Sequence, residues 1–185
     1  MNELNSMAKE SQSTRLVRSL EEFRGCSLQV TGRRAGFNGL SVCNGTVVRK
    51  IELKTVSNSD NWFAINGLYG IDSLFFDPQY YLYFVLPQEK IILIAEAVRF
   101  LQAQILGYNS EVGEDVREWI DLTRTLCTKS GLSIIPRINF KLRVGIRQLL
   151  KILELQQAHE EWQHCIDSVW RSQESGAWQR IFPAT

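Results

Sequence analysis

Glu52 and Lys54 are the residues whose types and spacing first suggest chemistry. They stand in the run Arg49-Lys50-Ile51-Glu52-Leu53-Lys54-Thr55, where apolar and charged positions alternate as along a strand. Ile51, Leu53 and Thr55 then point one way, and Lys50, Glu52 and Lys54 the other. A carboxylate and an ammonium delivered to one side of a strand suit metal-assisted hydrolysis of a phosphodiester. The acid holds a hard cation, and the lysine steers the attacking water and offsets negative charge in the transition state. Taken alone, Glu-x-Lys is also what a solvent-facing ion pair looks like. The surrounding elements decide what it means.

Leu16, Val17, Leu20 and Phe23 fall at helical spacing within residues 8–24, and Gly25 follows as a C-cap. Ser27–Thr31 alternates as a strand, the run 32–36 holds Arg33 and Arg34 in a turn, and Phe37–Val42 forms a second strand. Asn44-Gly45 predicts a tight hairpin, with Val47–Val56 as the returning strand, which brings Asn38 toward Glu52. Gln79–Leu86 and Ile91–Ala95 read as further strands, and Val98–Leu106 as a helix ended by Gly107. This order predicts an α/β fold with a mixed central sheet flanked by helices. From Glu111 onward the chain reads as mostly helical. One long helical stretch is expected from Arg137 to Trp170, with Gly145 as its irregularity, followed by an aromatic tail.

At 185 residues, with 44% hydrophobic and 22% charged content, the composition is that of a globular protein with a sizeable core. No apolar run approaches the roughly 20 residues of a membrane span, so no membrane partner is expected. The polar N-terminus has no apolar signal core. Four scattered cysteines without a Cys-x-x-Cys pair argue against a zinc site or a disulfide framework, and favour a reducing, cytoplasmic location. His159, His164 and Cys165 do not share a helical face and are not expected to bind metal. Net charge is +1, but residues 1–54 carry nine Lys/Arg against five Asp/Glu, and residues 55–120 carry three against nine. Residues 121–185 carry nine against six. The basic ends include Arg137, Lys141, Arg143, Arg147 and Lys151 with no acid among them, four of which would form a stripe on one helix.

The chain resembles the PD-(D/E)XK nuclease superfamily over about residues 8–95. An N-terminal helix carries Glu10, a second strand reads "AGFNGLSV", and a third reads "RKIELKTV". The spacing, 28 residues from Glu10 to Asn38, 14 to Glu52 and two to Lys54, is similar to that of Holliday-junction resolvases and homing endonucleases of this fold. The resemblance implies a restriction-endonuclease-like core over residues 1–108 and a helical extension over 109–185 for specificity or dimerisation. It implies Mg²⁺ held by Glu52, Asn38, the Leu53 carbonyl and Glu10, with Lys54, Glu52 and Glu10 as the catalytic group. It also implies a DNA partner met by Arg33, Arg34, Lys50, Arg137, Lys141, Arg143, Arg147 and Lys151, and a homo-oligomer that presents two sites to a duplex. Asn38 departs from the family, which has an aspartate there. Two readings follow: a Mg²⁺-dependent DNA endonuclease, inactivated or weakened at Asn38, or a non-catalytic module of nuclease fold that binds DNA or protein.

Overall fold

A computed structural model describes residues 2–32, 37–56, 62–66, 77–103, 141–158 and 165–183. Its order is α1 (Asn2–Phe23), β1 (Ser27–Val30), β2 (Gly39–Cys43), β3 (Thr46–Thr55), β4 (Trp62–Asn66), β5 (Tyr80–Leu86) and β6 (Ile91–Glu96). There follow α2 (Ala97–Ala103), β7 (Lys141–Gly145), α3 (Ile146–Ala158), β8 (Ser168–Ser172) and β9 (Trp178–Phe182).

Seven strands form one mixed sheet in the order β1-β2-β3-β5-β6-β8-β9, and β4 pairs with β7 in a separate two-stranded sheet. Within the large sheet β3 and β5 run parallel, and the other neighbours run antiparallel. The β2–β3 hairpin turns through Asn44 (φ 50°) and Gly45 (φ 78°). Both φ values are positive, as a two-residue turn matched to strand twist requires. Gly25 (φ 77°) ends α1 in the left-handed conformation expected of a C-cap. Gly39 is needed for space: a Cβ there would stand 2.9 Å from Leu28 Cδ1 and 3.3 Å from the Gln29 carbonyl oxygen.

The sheet has a core on each face. Val17 and Leu20 of α1 pack over Leu28, Ile51, Tyr83, Val85, Ile92, Ile94 and Trp178. On the opposite face Leu82, Phe84, Leu93 and Ala95 meet Phe63 of β4, Phe100 of α2, and Leu149 and Ile152 of α3. Successive side chains of β5 therefore enter different cores. That is why "YYLYFVL" is an unbroken apolar run rather than an alternating one.

The C-terminal part departs from the helical expectation. Lys141–Gly145 is a strand, the helix starts only at Ile146, and β8 and β9 join the large sheet beside β6. Lys141-Leu142-Arg143-Val144 alternates with period two, and Ser175-Gly176 (Gly176 φ 80°) marks the turn between β8 and β9. Both signals are present in the residues; the strong helical pattern of 146–158 masks the first, and the second falls in the aromatic tail beyond the expected helix. The cysteine expectation is also corrected. Cys26 and Cys43 form a disulfide, with Cα atoms 4.4 Å apart. The register Ser27↔Val42 places them opposite each other at the start of β1 and the end of β2, a proximity invisible in their linear spacing. Cys165 is a buried free thiol, and burial first of all pushes it up to about 12. No helix among the described residues is long and apolar enough to cross a membrane.

Candidate functional site

The alternation expected for β3 is present. Ile51 and Leu53 pack on the α1 side, while Glu52 and Lys54 lie alongside Leu82 and Phe84, which belong to the other core. Lys54 Nζ donates to Glu52 Oε1 at 2.5 Å, with the two side chains 12% and 20% exposed. Each charge is the other's compensation at the margin of an apolar core.

Asn38 sits just ahead of β2, where the hairpin brings it to β3. Its backbone N–H donates to the Ile51 carbonyl at 2.8 Å, and its own carbonyl accepts from the Thr31 N–H at 3.0 Å. Its side-chain Oδ1 accepts from the Leu53 N–H at 2.7 Å. The amide oxygen thus serves Leu53 as a strand carbonyl would, where β3 runs on beyond the end of β2. Within a strand a residue's N–H and C=O point to the same side, so the Leu53 carbonyl is directed toward the Asn38 edge as well. Asn38 Oδ1 is engaged by the Leu53 N–H and Glu52 Oε1 by Lys54; oxygen atoms of this kind are the hard donors that suit Mg²⁺. Among the described residues no three His, Cys, Asp or Glu side chains group as a metal site.

The other expected site residues are divided. Glu10 belongs to α1, three residues before Ser13, whose hydroxyl accepts from Thr55 Oγ1 at 2.8 Å. The Glu10 side chain lies outside the described residues. Lys50 shares the Glu52 face but is engaged by Asp77 at 2.5 Å, and so is not a free cation. Burial alone would raise the Asp77 carboxyl; hydrogen bonds from Lys50 and the Gln79 N–H, with the Lys50 charge, hold it below its ordinary value. Arg147 and Lys151 are exposed on α3. Lys141 and Arg143 lie on β7, paired with Asn66 and Ala64, so the expected single helical stripe is broken at Gly145. The side chains of Lys141 and Arg143, and all of Arg33, Arg34 and Arg137, lie outside the described residues.

Glu21 of α1 is fully buried. Tyr83 donates its hydroxyl to Glu21 Oε1 at 2.8 Å, Arg24 Nη1 donates to the same oxygen at 3.2 Å, and Ser41 Oγ donates to Oε2. Burial, then the Glu21 charge, drives the Tyr83 phenol well above its ordinary value. The signal was there: Glu21 falls four residues after Val17 and one after Leu20, inside the apolar stripe. Sequence reasoning also missed Asp77 and a polar cluster around Arg49, Tyr81, Glu96, Arg99 and Asp167. Their meeting depends on strand order, which no local pattern encodes.

No protein-family model matches the chain, and no curated protein and no solved structure matches it.

Proposed function

We propose that the chain is a Mg²⁺-dependent DNA endonuclease with a restriction-endonuclease-like core, its metal affinity reduced by Asn38. The observation that carries this reading is the Asn38 Oδ1 to Leu53 N–H bond beside the Glu52–Lys54 pair. It ties Asn38 to the backbone of Leu53, the residue between Glu52 and Lys54. The resemblance gives a helix, a strand, a hairpin of two strands, two later strands and a following helix, and α1, β1–β3, β5, β6 and α2 run in that order.

In this reading Glu52, Asn38 Oδ1 and the Leu53 carbonyl would hold the ion, with Glu10 the second acid that the resemblance implies. The bound ion supplies Lewis acidity at the scissile phosphate. Lys54 releases Glu52, orients the attacking water and faces the charge that builds on the phosphoryl oxygens. Arg147 and Lys151 supply backbone phosphate contacts from α3.

The test compares the chain with Asn38→Asp, and with Asn38→Asp combined with Lys54→Ala, on duplex, four-way-junction and RNA-containing substrates. Asn38→Asp is expected to bind Mg²⁺ at least about tenfold more tightly by calorimetry and to cut in the presence of the ion. Adding Lys54→Ala is expected to remove cutting while circular dichroism shows the variant still folded. Absence of Mg²⁺-dependent cutting by Asn38→Asp on every substrate overturns the catalytic reading. It favours instead a non-catalytic module of the same fold that binds DNA or protein. The neutral Asn38 and the closed Glu52–Lys54 pair are the features that favour that second reading.

A further inference from the structure

The α1 face of the sheet holds a second polar cluster, separated from Glu52 and Lys54 by the thickness of β3. Arg49 comes from β3, Tyr81 from β5, Glu96 from the end of β6, Arg99 from α2, and Asp167 from the residue ahead of β8. Pairing explains their meeting. Tyr81 is opposite Glu96, Ile94 is opposite Ser168, and the Asp167 N–H donates to the Ile94 carbonyl at 2.8 Å. The Arg49 guanidinium lies over the Tyr81 ring, 5.3 Å from its centroid. Arg99 Nε stands 2.9 Å from Glu96 Oε2, and the Glu96 backbone N–H bonds the Asp167 carboxylate.

Arg49 Nε is buried and has no hydrogen-bond partner among the described residues. Buried polar groups are almost always bonded, and one left over signals a missing partner. A guanidinium donor requires an acceptor, and its positive charge favours an anionic one. Stacking on Tyr81 holds the planar fork in place, so little side-chain freedom is lost when a ligand arrives. Arg99 is half exposed and gives the cluster a solvent-facing side.

We propose that Arg49 and Arg99 form a binding site for a small free tetrahedral oxyanion of the phosphate or sulfate class, with the Asp167 carboxyl as its proton-controlled neighbour. A small ion rather than a polymer phosphate fits, because the open donor is a buried atom. With Asp167 ionised, Arg49 and Arg99 are balanced by Glu96 and Asp167. With Asp167 neutral, the cluster carries one net positive charge and gains a hydrogen-bond donor. Burial and the Glu96 charge push the Asp167 carboxyl up to about 6, against the pull of Arg99, the Glu96 N–H and Arg49. The charged and titratable groups facing it are therefore Glu96, Arg99, Arg49 and Tyr81. Binding takes up a proton, and affinity falls as pH rises through that value.

Sulfate is the suitable probe, because its own charge stays constant across the range. Calorimetric titration of the full chain at constant ionic strength is expected to show one sulfate per chain. Binding should be about 25-fold tighter at pH 5.5 than at pH 7.5, the ratio of protonated Asp167 at the two values. Arg49→Gln and the more exposed Arg99→Gln should each weaken binding at pH 5.5, the former at least about tenfold. Asp167→Asn should make affinity independent of pH, and circular dichroism and melting confirm that each variant is folded. The proposal is overturned by no saturable binding at pH 5.5, by equal affinity at both pH values, or by folded arginine variants that bind like the parent. These readouts involve neither cutting nor Mg²⁺, so they stand or fall apart from the endonuclease reading.

Discussion

Replacing Glu21 by alanine tests whether the buried acid, rather than apolar packing alone, fastens α1 to the sheet. The carboxylate receives the hydroxyls of Tyr83 and Ser41 and the guanidinium of Arg24, so one side chain of α1 holds residues of β5 and β2. Tyr83 and Ser41 are themselves fully buried. Removing Glu21 leaves two hydroxyl donors without their acceptor, at about 1–3 kcal/mol for each group stranded away from water. Arg24, 19% exposed, loses its counter-charge but reaches water more readily and keeps the Tyr83 oxygen at 3.3 Å. Against these losses stands the desolvation penalty that the carboxylate no longer suffers. The balance for breaking a buried pair by deleting one partner is a loss of about 3–5 kcal/mol, a large share of the roughly 5–15 kcal/mol of a whole domain.

The assay is urea unfolding followed by tryptophan fluorescence, for which the chain carries five reporters. With a slope of about 2 kcal/mol per molar urea, the midpoint should fall by about 2 M. Tyr83→Phe removes one donor without creating a cavity and should cost only about 1–2 kcal/mol. The double variant should then be less destabilised than the sum, because Tyr83 without its hydroxyl no longer misses Glu21. A Glu21→Ala cost below about 1 kcal/mol, or strict additivity with Tyr83→Phe, refutes the reasoning.

Two further perturbations act away from that edge. Reducing the Cys26–Cys43 disulfide, which spans 17 residues, should lower stability by about 3 kcal/mol by freeing a loop of that length in the unfolded chain; equal melting temperatures with and without reductant refute this. For Asp167 the folded state raises the carboxyl from 3.8 to about 6, so the folded protein holds that proton more tightly than the unfolded chain. Its contribution to stability is full below pH 3.8, falls as pH rises toward 6, and stays lost above. Partial exposure reduces the loss to about 1–2 kcal/mol. Asp167→Asn should therefore flatten that interval and gain about the same amount at pH 7.5, read from urea midpoints at pH 4.5, 6 and 7.5. An unchanged slope sinks the assignment.

The local parts of the fold were legible where a residue type answers a local backbone demand. Asn44-Gly45 specified its turn by tolerating positive φ twice, Gly25 ended its helix, and the alternation from Lys50 to Thr55 specified which side chains share a face. Legibility stopped where meaning depends on partners distant in sequence. Cys26 and Cys43 are far apart until β1 and β2 pair. Asp77 is an ordinary loop acid until the parallel register Lys50↔Tyr80 delivers it to Lys50. Glu21 is misread by any rule that treats charge as a mark of solvent, because Tyr83 and Ser41 supply the acceptor-seeking hydroxyls that water would otherwise replace. The C-terminal strands were hidden for a different reason. The amphipathic pattern of Ile146–Ala158 is strong enough to absorb its weaker, period-two flank.

The bond from the Leu53 N–H to Asn38 Oδ1 explains why position 38 carries an acceptor oxygen, and β3 needs one there whatever the protein does. It does not by itself select an amide over a carboxylate, since either oxygen can accept. The choice matters through Glu52. A carboxylate at 38 would put a second negative charge at the same edge, with Lys54 the single ammonium bonded there and Lys50 already held by Asp77. Without a cation that repulsion costs about 1 kcal/mol at the screening of bulk water, and more where the edge is drier; with Mg²⁺ it becomes attraction. Asn38→Asp should therefore unfold at lower urea than the parent in chelator and recover, or exceed, the parent in excess Mg²⁺. The parent itself should respond far less. If Mg²⁺ moves both midpoints equally, Glu52, Leu53 and position 38 do not form a cation site, and the amide is there for the strand alone.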